Sequence, residues 1–91
     1  MLAAMESPAP NIALIEDDDE IRDLVAALLA REGMVVHPCR TTAEFDRLIA
    51  QQPVDLALVD IMLPGEDGLS LCRRVRATSG LPLMILSARS D

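Results

Sequence analysis

Asp60 follows four apolar residues, Leu56, Ala57, Leu58 and Val59, with no polar member among them. A similar run, Asn11 to Ile15, ends in Glu16 and Asp17, and a third, Leu83 to Leu86, ends in Ser87. An apolar run bounded by turn residues reads as a strand buried on both faces, and such strands belong to parallel sheets covered by helices. In open parallel sheets the chemistry sits just past the carboxyl ends of the strands. If the first and third strands are neighbours, three carboxylates converge there. Two like charges about 4 Å apart at an effective dielectric of about 20 repel by about 4 kcal/mol. Such a cluster either raises a pKa or takes a cation. Oxygen-only ligands with room for water suit Mg²⁺. An aspartate in a cleft can attack a phosphoryl group and form an aspartyl phosphate, and a hydroxyl such as that of Ser87 can then donate to a phosphoryl oxygen.

These groups need elements to position them. After Ile15 come five consecutive acids, Glu16 to Glu20. Ile21, Leu24, Val25, Leu28 and Leu29 then follow the spacing of an amphipathic helix, and Gly33 closes it. Met34 to Val36 predicts a short second strand. Thr41 and Glu44 fit a capping box ahead of a second helix with Phe45, Leu48 and Ile49 on its apolar face, which Gln51, Gln52 and Pro53 end. Asp55 to Val59 is the third strand. Leu63, Pro64 and Gly65 break it, and a third helix starts near Gly68 or Leu69. It turns Leu71, Cys72 and Val75 inward and Arg73, Arg74 and Arg76 outward. Leu83 to Leu86 is the fourth strand. Strand and helix alternate throughout, which predicts an α/β fold, a doubly wound parallel sheet with right-handed crossovers.

Each piece has a blander reading. Acid runs commonly form a solvated helix start, and a lone Asp after a strand is usually a turn residue. Position shifts the balance, because all the groups fall on one edge of one sheet. A calcium loop fits poorly, since the acids do not alternate around a central Gly with a distal Glu. The 91 residues allow one domain. A net charge of −7 argues against a direct grip on a nucleic acid backbone. Cys39, placed in a loop, and Cys72 are too few for a disulfide framework and read as reduced thiols. The longest apolar run, Leu24 to Ala30, is far short of a membrane span of about 20 residues. Met1 to Pro10 lacks the features of a secretory signal and reads as a flexible tail. His37, the only histidine, sits near Pro38 and has an edge or surface role.

Three segments, IALIEDDDEIRDLV, LALVDIMLPGEDGLSLCRRVR and LMILSAR, together resemble the receiver domain of two-component response regulators. The middle one looks most like the OmpR-type subfamily, which are transcription factors. The resemblance runs from Asn11 to about Ala88. It implies a flavodoxin-like, CheY-like sheet, with residues 11–91 forming a partial receiver of four strands and three helices. It implies that Asp60 accepts a phosphoryl group from a sensor histidine kinase. It also implies that Glu16, Asp17, Asp60 and the backbone carbonyl of Met62 hold Mg²⁺, and that Ser87 is the switch hydroxyl.

Receivers of this kind continue with a fifth strand carrying a lysine. No residue here takes that position, since all eight basic residues are arginines. The expectation is therefore a receiver truncated at its C-terminus, in a cytoplasmic protein without membrane contact. Its full-length parent would reach DNA through a separate C-terminal domain and form a homodimer. A receiver remnant that binds a partner without phosphorylation is one alternative. An aspartate-nucleophile phosphatase is another, but it would need a general acid two residues after Asp60, where Met62 stands.

Overall fold

The computed structural model describes residues 8–86. The elements alternate as β1 (Asn11–Ile15), α1 (Asp19–Arg31), β2 (Val35–Cys39), α2 (Thr42–Gln51), β3 (Leu56–Asp60), α3 (Gly68–Thr78) and β4 (Leu83–Leu86). The four strands form one sheet in the order β2-β1-β3-β4, and every pairing is parallel. From β1 the chain first steps outward to β2, then crosses back to place β3 on the other side of β1. That reversal opens a crevice between the carboxyl ends of β1 and β3, the place where open α/β sheets bind ligands.

Side-chain alternation sorts the central strands onto two faces. Ala13, Ile15, Ala57 and Val59 join Phe45 of α2 and Leu71 and Val75 of α3 in one buried cluster. Ile12, Leu14 and Leu58 face the other way, where Val25, Ala26 and Leu29 of α1 pack on them. This is the doubly wound arrangement the strand and helix pattern predicts. No helix among the described residues is long and apolar enough to cross a membrane.

The helix ends follow local chemistry. Asp18 caps α1 by accepting from the Ile21 N–H at 2.9 Å. Thr41 caps α2 by accepting from the Glu44 N–H, as the capping box predicts. The return bond differs: Glu44 Oε1 accepts from the N–H of Arg40, one residue before the cap. Asp67 caps α3 through the Ser70 N–H at 2.8 Å.

Two strands differ from expectation. β2 runs on to Cys39, three residues beyond the expected end at Val36. Pro38 is tolerated because β2 lies at the sheet edge and is bonded on one side only. His37 is therefore mid-strand, and Cys39 belongs to the core rather than a loop. β3 is shifted by one residue, so Asp60 is its last member rather than the residue after it.

Candidate functional site

The register aligns the acids. Ile15 is level with Val59, so the next residues, Glu16 and Asp60, leave the two central strands side by side. Asp17 follows in the turn before α1. One carboxylate oxygen from each of Glu16, Asp17 and Asp60 lies within 4.8 Å of the others. The three sequence-identified acids are thus brought together.

Their environments differ. Glu16 is buried, at 4% exposure, whereas Asp17 is exposed and Asp60 half-buried. Burial pushes the Glu16 carboxyl above its ordinary range, and the neighbouring Asp60 and Asp17 carboxylates push the same way. The Asp18 N–H, donating to Glu16 Oε2 at 3.1 Å, only partly offsets this. A buried acid facing two others is the arrangement that a cation relieves. All-oxygen donors open to solvent on one side favour a hard cation that keeps some of its water.

The loop after β3 is held against the same pocket. The N–H of Met62, an exposed residue, donates to Asp60 Oδ1 at 3.2 Å. Leu63 is buried and anchors the loop in the core. Gly65 turns the chain at φ +81°, a conformation that favours glycine. The Gly68 N–H closes the loop onto the Ile61 carbonyl at 3.1 Å. A Cβ at Gly68 would overlap the Asp60 carbonyl oxygen and lie 2.9 Å from Ile61 Cα, so only glycine lets α3 begin this close to the acid. Leu86 is level with Asp60 in β4, and its carbonyl accepts from the Ile61 N–H at 3.2 Å. Ser87, the expected switch hydroxyl, lies outside the described residues.

Several residues play parts that the sequence pattern does not reveal. Asp18, which matches no ligand position, is the α1 cap. Arg74, expected on a solvated face, grips both carboxylate oxygens of Glu66 at 3.0 and 2.9 Å and reaches Asp46 of α2 at 3.1 Å. Arg22 folds back over the β1–α1 turn, with Nη1 donating to the carbonyl of Glu16 at 3.0 Å and to that of Asp17 at 3.5 Å. His37 Nε2 lies 3.0 Å from Asn11 Oδ1 and 3.1 Å from Gln52 Nε2, which keeps it in the sheet framework. Burial pushes the Cys39 thiol up to about 11, in keeping with a core role.

Comparison with known proteins agrees with this geometry. The profile of the response regulator receiver domain matches residues 12–91. The transcriptional regulatory protein AfsQ1 of Streptomyces coelicolor is 43% identical over 82 residues, covering 90% of this chain and 36% of AfsQ1. The chain thus spans little more than a third of the length of the curated relatives it matches. Among solved structures, the BeF3-activated N-terminal receiver domain of Klebsiella pneumoniae RstA superposes with a TM-score of 0.82 at 37% identity, covering 89% of this chain and 69% of that one. The response regulator protein TrrA of Thermotoga maritima, in complex with Mg(2+)-BeF, superposes with a TM-score of 0.82 at 26% identity, covering 89% and 71%. With its strand order, its acid triad at the β1–β3 crevice and a profile match across most of its length, the chain belongs to the response regulator receiver domain family.

Proposed function

We propose that this chain is the phosphoacceptor module of a two-component relay, with Asp60 as the residue modified. One observation carries the reading: Asp60 ends a central strand at the sheet's crevice, with the Glu16 and Asp17 carboxylates beside it. A carboxylate oxygen of Asp60 attacks the phosphorus of a phosphohistidine on a sensor kinase. The P–N bond breaks, its electron pair returns to the imidazole, and the phosphoryl group stays on Asp60. The Met62 N–H, bonded to Asp60 Oδ1, orients the carboxylate and leaves the other oxygen to react.

Glu16, Asp17 and Asp60, with the Met62 carbonyl, are the residues that would hold Mg²⁺. The donor set fits in kind: three carboxylate oxygens lie within 4.8 Å of one another, close to the separation of about 4.2 Å between ligands across a Mg²⁺ ion with bonds of about 2.1 Å. When bound, the ion neutralises the acids and the charge of the incoming phosphoryl group. Ser87, next in the chain after Leu86, is the hydroxyl assigned to a phosphoryl oxygen.

The module signals rather than turning over a substrate, since Met62 stands where a phosphatase would place its general acid. The similarity to AfsQ1, a transcriptional regulatory protein of which this chain covers 36%, supports a longer parent that regulates transcription; in this reading the parent is cytoplasmic and meets DNA outside these residues. A histidine kinase is its upstream partner, and the parent acts as a homodimer.

The test is incubation with Mg²⁺ and acetyl phosphate, followed by intact mass and borohydride trapping of the acyl phosphate. One phosphoryl group on Asp60 is expected, with Asp60→Asn abolishing it and Asp17→Asn slowing it. A folded chain that is never modified, or one modified elsewhere, refutes the reading.

A further inference from the structure

We propose that Arg22 is a positioning residue for the acid pocket, holding the β1–α1 turn so that Glu16 and Asp17 meet Asp60. The inference rests on the reading of that pocket as a cation and phosphoryl site.

β1 ends at Ile15 and α1 begins at Asp19, so only residues 16–18 make the turn. Two of its three N–H groups have partners. The Glu16 N–H donates to the Cys39 carbonyl at 3.0 Å, and the Asp18 N–H to Glu16 Oε2. The Asp18 carbonyl opens the helix ladder by accepting from the Arg22 N–H at 2.9 Å. The carbonyls of Glu16 and Asp17 precede that ladder, and both are taken by Arg22 Nη1. One guanidinium nitrogen therefore ties together the two peptide units that carry the acids.

The guanidinium is itself held in place. Nη2 bonds Asp19 Oδ1 at 2.5 Å, and the same oxygen accepts from Arg40 Nη2 at 3.0 Å, on the far side of β2 in sequence. The Arg22 side chain is only 13% exposed, against 64% for Asp19 and 58% for Arg40. A planar fork can place one nitrogen on a carbonyl pair and another on a carboxylate at once, whereas an ammonium is a single point on a flexible stem. Small displacements of a ligand-bearing turn matter, because losing a group that orients metal ligands typically costs about 10–100-fold in affinity.

Charge and geometry make opposite demands here. A cation beside the pocket repels Mg²⁺, so removing it should tighten metal binding if charge were its main effect. A strap has the opposite sign: its loss lets the turn loosen and weakens binding.

The experiment compares the full chain with Arg22→Ala, Arg22→Lys and Asp19→Asn. Mg²⁺ affinity is measured by calorimetry at fixed ionic strength. Amide exchange is measured at Asp17 and Asp18 without metal, referenced to Leu14. The strap predicts a Mg²⁺ Kd raised about tenfold in Arg22→Ala, the low end for residues that orient metal ligands. Arg22→Lys fails to restore it, Asp19→Asn gives a smaller shift of the same sign, and exchange at Asp18 quickens in all three. Unchanged or tighter Mg²⁺ binding in Arg22→Ala overturns the proposal, as does full rescue by Arg22→Lys. If the wild type binds no Mg²⁺, the phosphoacceptor reading fails by itself. The strap then stands or falls on Asp18 exchange, and unchanged exchange in Arg22→Lys and Asp19→Asn removes it. Asp19→Asn keeps the arginine, so it decides the matter even where Arg22→Ala does not fold.

Discussion

The two faces of the sheet are not equally built. On one, α2 and α3 close over Ala13, Ile15, Ala57 and Val59, and Phe45 and Leu71 are fully buried. On the other, α1 is the one helix among the described residues that covers Ile12, Leu14 and Leu58; it contributes no fully buried residue of its own and leaves Leu24 and Leu28 at 61% and 50% exposure. Asp60 shares the side of Leu58 by strand alternation, and the Arg22 strap also comes from α1. The densely packed face fixes the strands, while the sparse one carries the Asp60 carboxylate of the acid cluster.

The largest expected difference is in core truncation. Phe45→Ala should cost about 3–5 kcal/mol, the range for buried aromatic residues, and Phe45→Leu measurably less. Leu24→Ala and Leu28→Ala should each change stability by less than about 0.5 kcal/mol, as surface substitutions do. Urea unfolding of the four variants checks this. If Leu28→Ala costs as much as Phe45→Leu, the α1 face is covered in solution and the contrast between the faces collapses. Dependence of the midpoint on protein concentration would then identify a second copy as the cover.

The contrast between the faces bears on what could be read from sequence. Buried strands, helix periodicity and the Thr41 cap are local patterns, and the structure bears out the doubly wound parallel sheet they predict. The three acids were legible because strand ends deliver them to one edge. Local pattern alone ends β2 at Val36 and puts Cys39 in a loop, because a proline normally stops strand pairing; only the place of β2 at the sheet edge permits Pro38 within it. Arg22 and Arg74 were missed as interacting groups because nothing local tells a solvated arginine from one folded onto a turn or a neighbouring helix. Ion pairs that span helices are properties of the assembled fold.

A second difference concerns pH and Glu16. Its carboxyl stands above the ordinary value of 4.5 in the folded chain, chiefly through burial and then through Asp60 and Asp17. Folding therefore favours the protonated form. Its favourable contribution is complete below the unfolded value and is lost as pH rises through the higher folded one. Glu16→Gln should raise Tm at neutral pH, with the gain vanishing as pH falls below about 4.5. Added Mg²⁺ should reverse the order, stabilising the wild type more than the variant. A variant less stable than wild type at neutral pH without metal would show that the ionised Glu16 stabilises the turn, through Asp18, more than its burial costs.

A small effect is expected at Arg74, which ties the two helices of the dense face to each other and to the Glu66 loop. Arg74 holds the Glu66 carboxyl below its usual range. The pair is bidentate and networked, the geometry in which surface ion pairs contribute most, yet Arg74 is 44% exposed and screened by solvent. Arg74→Ala should therefore cost less than about 1 kcal/mol, with the loss shrinking as salt is raised. A double-mutant cycle with Glu66→Ala isolates the pair from the packing of the arginine stem. A coupling that persists at high salt would mean that the loop is held by burial of Leu63 together with the pair, making the dense face the anchor of the loop after Asp60. A coupling of zero would leave the loop to Leu63, the Gly68 contact and the backbone bonds of Ile61 and Met62, and would remove the arginine clamp from the dense side of the site.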